Sequence, residues 1–266
     1  MTTDSVMSIE EEEYWLLMAD TMADYIQSQL FSVVPNKLVV GLSGGIDSAV
    51  SAALAVRACG NRCLKTFFMP YVHSDPTDAI AVAEFLDVDF TTIPITAQVD
   101  VYFKQFDEEP SRVRKGNKCA RERMSILYDQ SVIHNALVLG TGNKTEALLG
   151  YTTLWGDMAC AFSPIGDLYK DEVQAVARVL EIPEQIITKP PSADLWVGQT
   201  DEDELGISYE KANIILRAIV DGKDIDQLKL CERAEIEKVL SLYHGTSFKR
   251  QMPAYIDLSH VKNLFE

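Results

Sequence analysis

The spacing of hydrophobic residues predicts a chain that begins with a long amphipathic helix. Trp15, Met18, Met22, Ile26 and Leu30 recur at intervals of three and four residues, which places them on one helical face. The acidic residues that precede them suit a helix N-terminus, because the helix dipole is positive there. The first element is therefore expected to pack one apolar stripe against a core.

Four short hydrophobic runs farther along the chain predict strands, at residues 37–42, 64–69, 89–95 and 136–140. Helical patterns lie between and after them: residues 48–58, a helix opened by Asp75 and Pro76, a polar stretch that reaches Tyr128, and residues 170–180. This alternation predicts an α/β fold, a doubly wound, Rossmann-like parallel sheet flanked by helices.

We expect the chain to form one domain over residues 1–266, because neither an internal repeat nor a shift in composition divides it. The sheet would occupy a core of about 36–190, followed by a C-terminal loop and helices over 191–266. Residues 189–206 are predicted to be irregular, since Pro190, Pro191 and Gly198 interrupt any pattern, and helices resume at Tyr209.

Charge and cysteine content exclude several classes of partner. With 24 basic and 40 acidic residues the net charge is −16, which opposes extended binding to nucleic acid or to an anionic membrane. The apolar stretches are shorter than the roughly 20 residues that span a bilayer. Five cysteines without CxxC spacing indicate neither a disulfide framework nor a zinc site, and the acidic N-terminus is unlike a signal peptide. A cytoplasmic location is expected.

The segment 43–48, Ser-Gly-Gly-Ile-Asp-Ser, carries the strongest chemical signal, because it joins a predicted strand to a predicted helix. Glycines let backbone amides approach an anion closely, and a helix N-terminus adds partial positive charge. A carboxylate among phosphates is repulsive unless a divalent cation lies between them, so Asp47 implies Mg²⁺. The candidate nucleotide-binding residues of this loop are Gly41, Leu42, Ser43, Gly44, Gly45, Ile46, Asp47 and Ser48.

This hexapeptide resembles the PP-loop of the ATP pyrophosphatases, and five further segments resemble blocks of the NAD synthetase family in order: 116–124, 140–146, 164–170, 190–196 and 201–206. The resemblance implies an adenine nucleotide alpha hydrolase-like fold and a homodimer. It implies an ammonia-dependent ligase that adenylates the carboxylate of deamido-NAD with ATP and amidates it, releasing NAD, AMP and pyrophosphate.

The same resemblance implies a role for each matching residue. Ser43, Gly45 and Ser48 would hold ATP phosphates, with Thr141, Lys170 and Ser192 as further ATP contacts. Asp47 and Lys170 would be catalytic, and Asp47 and Glu146 would hold Mg²⁺. Arg121 and Lys249 would bind deamido-NAD. The chain departs from the family where some members have Lys, Asp and His, at Leu154, Ala161 and Phe248.

Other interpretations of these residues remain open. Arg121 and Arg123 are also typical of a solvated helix face, and Glu146 of a residue that caps a helix. The alternative functions are a tRNA-modifying PP-loop enzyme, which the acidity disfavours, and a non-catalytic nucleotide sensor, which has no need of two metal-binding carboxylates. Free ammonia is the expected nitrogen source, because no cysteine has the setting of an amidase nucleophile.

Overall fold

A computed structural model describes residues 7–31, 36–72, 74–192, 200–254 and 256–258. The strands are β1 (Lys37–Gly41), β2 (Leu64–Phe68), β3 (Asp89–Thr92) and β4 (Ala136–Val138). The helices are α1 (Ile9–Phe31), α2 (Ile46–Cys59), α3 (Thr77–Leu86), α4 (Thr96–Phe103), α5 (Arg112–His134), α6 (Lys144–Leu149), α7 (Lys170–Val179), α8 (Glu184–Ile187), α9 (Asp201–Leu205), α10 (Tyr209–Val220) and α11 (Arg233–Gly245). The alternation of strands and helices confirms the predicted α/β class.

The four strands form one parallel sheet in the order β3-β2-β1-β4. Successive residues of β1 point to opposite faces, as strand geometry requires. Leu38 and Val40 join a core with α1, α2, α7 and α8, whereas Val39 joins a second core with α4 and α5. Both faces of the sheet are therefore covered, which explains why β1 is hydrophobic throughout.

The strand order reverses at β1, since the chain runs outward through β2 and β3 and then returns to place β4 on the other side. In an open parallel sheet such a reversal leaves a crevice at the carboxyl ends of the strands on either side of it, here β1 and β4. The segment 42–45 follows β1, and the segment 139–143 follows β4. The fold thus brings two segments that sequence analysis singled out to one crevice.

The C-terminal helices form a third hydrophobic cluster, which packs against the sheet-bearing part through α6 and α7. Its buried residues come from α6, α9, α10 and α11, with Ile215, Leu216 and Val239 fully buried. This cluster lies beside the residues that begin α7.

Some predicted boundaries were wrong. The third strand ends at Thr92 rather than at residue 95, because Pro94 has no N–H to offer a ladder. The fourth ends at Val138, and Leu139 makes only an isolated bridge to Phe162. The irregular stretch 189–206 contains α9, which begins with Thr200 as its N-cap. Among the described helices, none is long and apolar enough to cross a membrane.

Candidate active site

The loop between β1 and α2 is closed by its own two serines. The Ser43 amide donates to Ser48 Oγ at 3.2 Å, and the two hydroxyl oxygens lie 3.1 Å apart. Ser48 Oγ also donates to the Gly45 carbonyl at 2.9 Å, and the Gly45 amide donates to Ser43 Oγ at 3.2 Å. The loop therefore has a defined shape at the N-terminus of α2, where anions are stabilised.

Gly44 is the one residue of this loop whose backbone requires glycine. Its φ is +83°, in the left-handed region that side chains disfavour. A Cβ there would lie 2.8 Å from the Ala79 amide nitrogen and 2.8 Å from Asp78 Cβ. The loop thus packs directly against the first turn of α3.

Three charged side chains meet beside this loop, each supplied by a different helix. Asp47 lies in the first turn of α2, Glu146 in α6, and Lys170 at the first position of α7. The Lys170 ammonium donates to Asp47 Oδ2 and lies 3.6 Å from Glu146 Oε1. The other Asp47 oxygen accepts from Asn143 Nδ2 at 2.9 Å. Residues 123 positions apart in sequence are therefore in direct contact.

Burial makes the electrostatics of this cluster strong. The side chains of Lys170, Glu146 and Asp47 are only 4%, 16% and 18% exposed. Burial by itself lowers the pKa of Lys170, but Asp47 and Glu146 outweigh it and raise that pKa. Burial, and then repulsion from Asp47, raises the pKa of Glu146. A nearby cation stabilises two ionised carboxylates in such a place, and here the Lys170 ammonium is that cation.

Glu146 also caps a helix, as the alternative interpretation of this residue predicted. Its Oε2 accepts from the Asn143 amide at 3.2 Å, and its own amide donates to Asn143 Oδ1 at 2.9 Å. This reciprocal pair is a capping box at the start of α6. Because Glu146 Oε1 faces Lys170, the cap aims the carboxylate at the charged cluster.

Of the other predicted ATP contacts, only Thr141 lies in a segment that borders the crevice. Thr141 follows β4 and is half-buried. Ser192 is half-buried and is the last residue described before residue 200, so Ala193 to Trp196 of the matching block lie outside the described residues. The Pro191 carbonyl accepts from the Asp201 amide at 3.0 Å, which joins the two ends of that segment.

The two residues predicted to bind deamido-NAD converge on one loop. Arg121 donates from Nε and Nη2 to the Leu154 carbonyl at 3.2 and 3.1 Å. Lys249 Nζ donates to the carbonyls of Gly150 and Thr152, at 2.7 Å each. Burial lowers the pKa of Lys249. Both cations thus anchor the residues that follow α6.

A purely solvated helix face does not describe the two arginines of α5. Arg121 is exposed but anchored to Leu154, whereas Arg123 is half-buried and donates to the Met69 carbonyl at 3.0 Å. At the positions that depart from the family pattern, Leu154 is half-buried, and Ala161 and Phe248 are exposed.

Sequence reasoning missed Asn143, Asp201 and Tyr209. Asn143 and Asp201 lie inside segments that matched the family, so their positions offered a signal. Asp201 and Tyr209 are each buried to about 95% and hydrogen-bonded to one another, at 3.1 Å between Tyr209 Oη and Asp201 Oδ2. Their burial depends on α9 and α10 packing together, which a sequence pattern does not reveal.

A parallel α/β sheet with a glycine- and serine-rich loop at the reversal of strand order, and with two carboxylates and a lysine beside it, defines the PP-loop class of ATP-using proteins. The model of the family described as NAD synthase matches residues 18–253. The chain therefore belongs to the NAD synthase family.

Individual proteins agree with this assignment. An NH(3)-dependent NAD(+) synthetase from Trichlorobacter lovleyi is 43% identical over 249 residues, 91% of each chain. The structure of an NH3-dependent NAD synthetase from Campylobacter jejuni superposes with a TM-score of 0.79 at 34% identity, covering 91% of this chain and 99% of that one. The structure of an NMN synthetase from Francisella tularensis gives a TM-score of 0.82 at 30% identity, covering 91% and 98%. A tRNA-modifying enzyme and a non-catalytic sensor are not favoured.

Proposed function

We propose that this chain is a carbon–nitrogen ligase that forms NAD from deamido-NAD, ATP and ammonia. A carboxylate oxygen of deamido-NAD attacks the α-phosphorus of ATP, and pyrophosphate leaves. Ammonia then attacks the carbonyl carbon of the adenylate, loses a proton, and displaces AMP. The observation that carries this proposal is the contact of Asp47, Glu146 and Lys170 beside the serine-closed loop.

The roles of the loop and of Lys170 follow from charge. ATP phosphates would accept hydrogen bonds from the amides and hydroxyls of Ser43, Gly45 and Ser48 at the N-terminus of α2. Lys170 would neutralise the pyrophosphate as it leaves, an interaction that strengthens with the charge that develops there. Thr141 and Ser192 would complete the ATP contacts.

The carboxylates of the cluster fit a magnesium ion. Asp47 and Glu146 already converge on one cationic group, the Lys170 ammonium, so their oxygens are arranged around positive charge. Mg²⁺ is bound in proteins through one or two carboxylates together with substrate phosphates and water. We propose that Asp47 and Glu146 hold Mg²⁺, which supplies charge neutralisation to the triphosphate when bound.

Arg121 and Lys249 would bind the substrate dinucleotide near the loop that follows α6, since a guanidinium pairs well with phosphate or carboxylate.

A second candidate reaction is the same amidation on a mononucleotide, to form NMN, because the Francisella tularensis neighbour is an NMN synthetase. Deamido-NAD is preferred because the curated relatives at 40–45% identity are NAD synthetases.

A homodimer is the proposed assembly, with α5 as its interface. Val113, Val132 and Ile133 are exposed apolar residues on this helix, although an exposed helix of a monomer is usually polar. Val132→Asp should convert a species of twice the chain mass into one of single mass in light scattering. Leu230→Asp, which places the same charge on an exposed apolar residue outside the helices, should leave the dimer intact.

We further propose that the chain forms a single domain, because one family model spans residues 18–253, and that it works in a reducing cytoplasm, because the five cysteines are free thiols. One assay tests the main proposal. The protein is mixed with ATP, Mg²⁺, ammonium and either deamido-NAD or nicotinate mononucleotide, and the products are separated by chromatography. NAD and AMP in equal amounts support the proposal, NMN formed faster supports the second candidate, and neither product would reject both.

A further inference from the structure

Helix α10 reaches the start of α7 with two side chains that lie four residues apart, Tyr209 and Asn213. Residues at this spacing share one helical face. Both are buried, although α10 lies outside the crevice that the segments 42–45 and 139–143 border. Each of them contacts Lys170 or a residue bonded to it.

Tyr209 supports the ammonium group itself. Lys170 Nζ lies 5.2 Å from the centroid of the Tyr209 ring, within the range of a cation–π contact. The Lys170 side chain is 4% exposed, so this attraction acts with little screening by water. The ring therefore adds a third attraction to those of Asp47 and Glu146.

The Tyr209 ring is itself held in place. Its hydroxyl donates to Asp201 Oδ2 at 3.1 Å, and Tyr151 donates to the other Asp201 oxygen, also at 3.1 Å. The Tyr209 amide donates to Glu202 Oε1 at 2.7 Å. The ring is therefore fixed both at its tip and at its backbone.

Asn213 fixes the backbone from which Lys170 projects. The Lys170 amide donates to Thr145 Oγ1 at 3.0 Å, and that hydroxyl donates to Asn213 Oδ1 at 2.7 Å. Asn213 Nδ2 donates in turn to Asp171 Oδ1 at 2.6 Å. With its backbone fixed, the direction of the Lys170 side chain depends on what its ammonium touches.

We propose that Tyr209 is a positioning residue for Lys170, whose ring holds the ammonium where it meets the leaving pyrophosphate. This inference rests on the proposed function for its catalytic consequence. It also differs from a simple packing role in the third hydrophobic cluster, since packing needs only apolar volume, whereas positioning needs an aromatic face.

Three variants separate these roles. Tyr209→Leu keeps apolar volume but removes the aromatic face, and it should lower kcat about 30-fold with little change in KM for ATP, the equivalent of a desolvated cation–π contact of about 2 kcal/mol. Tyr209→Phe keeps the ring and should stay within about fivefold of wild type. The matched control is Tyr243→Leu in the same cluster, where Arg250 lies 4.6 Å from the ring centroid, and it should leave kcat unchanged.

A second measurement does not depend on activity. In protein labelled with ¹³C-lysine, the ε-methylene protons of Lys170 should resonate upfield because of the Tyr209 ring, with the signal assigned by its loss in Lys170→Arg. The upfield shift should persist in Tyr209→Phe and Tyr243→Leu and disappear in Tyr209→Leu.

Retention of the shift in Tyr209→Leu, or equal losses of kcat in the Leu and Phe variants, would overturn the inference. Wild-type protein that shows the upfield shift but forms no NAD would reject the proposed function while the placement of Lys170 stands. Thermal unfolding of each variant identifies any that fails to fold. If Tyr209→Leu is among them, loss of the upfield shift in Tyr209→Phe overturns the inference and its retention supports it.

Discussion

At the scale of single residues, Asp47 joins the nucleotide loop to the charged cluster. Its two oxygens face Asn143 and Lys170. Asp47→Asn removes a charge without changing side-chain volume, so we expect turnover to fall at least about 100-fold while the protein stays folded. NAD formation and thermal unfolding measure the two effects.

The control is Asp167→Asn, which changes an exposed carboxylate paired with Lys144 and should retain full activity. Wild-type turnover in folded Asp47→Asn would contradict the magnesium assignment.

Gly44 allows a second prediction at this scale, because backbone conformation and close packing both require a glycine there. A side chain in the left-handed region costs roughly 1–2 kcal/mol. A Cβ at residue 44 would also push the loop away from the first turn of α3, so Gly44→Ala should weaken ATP binding about tenfold, or about 1.4 kcal/mol, measured by calorimetry.

Gly60 provides the control for that substitution. Its φ of +82° matches that of Gly44, but a Cβ there would meet nothing within 4 Å. Gly60→Ala should therefore lose only the stability that its backbone conformation costs, and it should keep its ATP affinity. Equal ATP affinity in both variants would show that the loop tolerates a side chain at residue 44.

At the scale of elements, the charged groups of the site lie in the first turns of the helices that begin beside the crevice. Glu146 both caps α6 and faces Lys170, and one substitution separates these roles. Glu146→Gln keeps an oxygen that can accept from the Asn143 amide, so stability should stay within about 1 kcal/mol of wild type. Loss of the charge should lower turnover about 100-fold and raise the magnesium concentration needed for half-maximal rate.

The control is the corresponding glutamate of α11. Glu235 forms a capping box with Glu232, at 2.8 Å from its carboxylate to the Glu232 amide, and it lies on a helix outside the crevice. Glu235→Gln should leave both turnover and magnesium dependence unchanged. If Glu146→Gln behaved in the same way, capping would be the whole role of Glu146.

At the scale of the whole molecule, the nitrogen source is the property to test. A glutamine amidase needs a reactive thiol, which is an exposed thiolate of low pKa. Here Cys119 is fully buried, and burial raises the pKa of both Cys119 and Cys160. We expect NAD to form from ammonium salts, and no NAD above the blank from glutamine alone in buffer shown to be free of ammonia.

The pH dependence follows from the same chemistry. Neutral ammonia carries the lone pair that attacks the adenylate, and its share of total ammonium rises with pH. The apparent KM for total ammonium should therefore fall as pH rises, measured with saturating ATP and deamido-NAD. Equal rates from glutamine and ammonium would contradict the expectation, stated above, that free ammonia is the nitrogen source. An apparent KM for total ammonium that does not change with pH would contradict the role of neutral ammonia.

The sequence by itself determined the strands, most of the long helices and the local chemistry, although it did not predict the short helices α8 and α9. Hydrophobic spacing predicts α1 and the sheet strands because each pattern reflects which face of one element is buried, and that is a local property. The loop 43–48 is also local, since its serines and glycines are neighbours along the chain. The C-terminal end of β3 was predicted wrongly, which shows the limit of local patterns. A strand ends where its hydrogen bonds to the neighbouring strand end, and that depends on the neighbour.

Only the tertiary structure decided which distant residues meet. Lys170 reaches Asp47 because α7 packs against α2 on the same face of the sheet, and α10 places Tyr209 against Lys170 because α10 packs beside α7 while its own apolar face is buried in a separate core. Asp201 is a buried carboxylate within an acidic run that resembles a solvated surface. Contacts of this kind depend on how helices and strands pack in three dimensions, which the pattern within any one element does not contain.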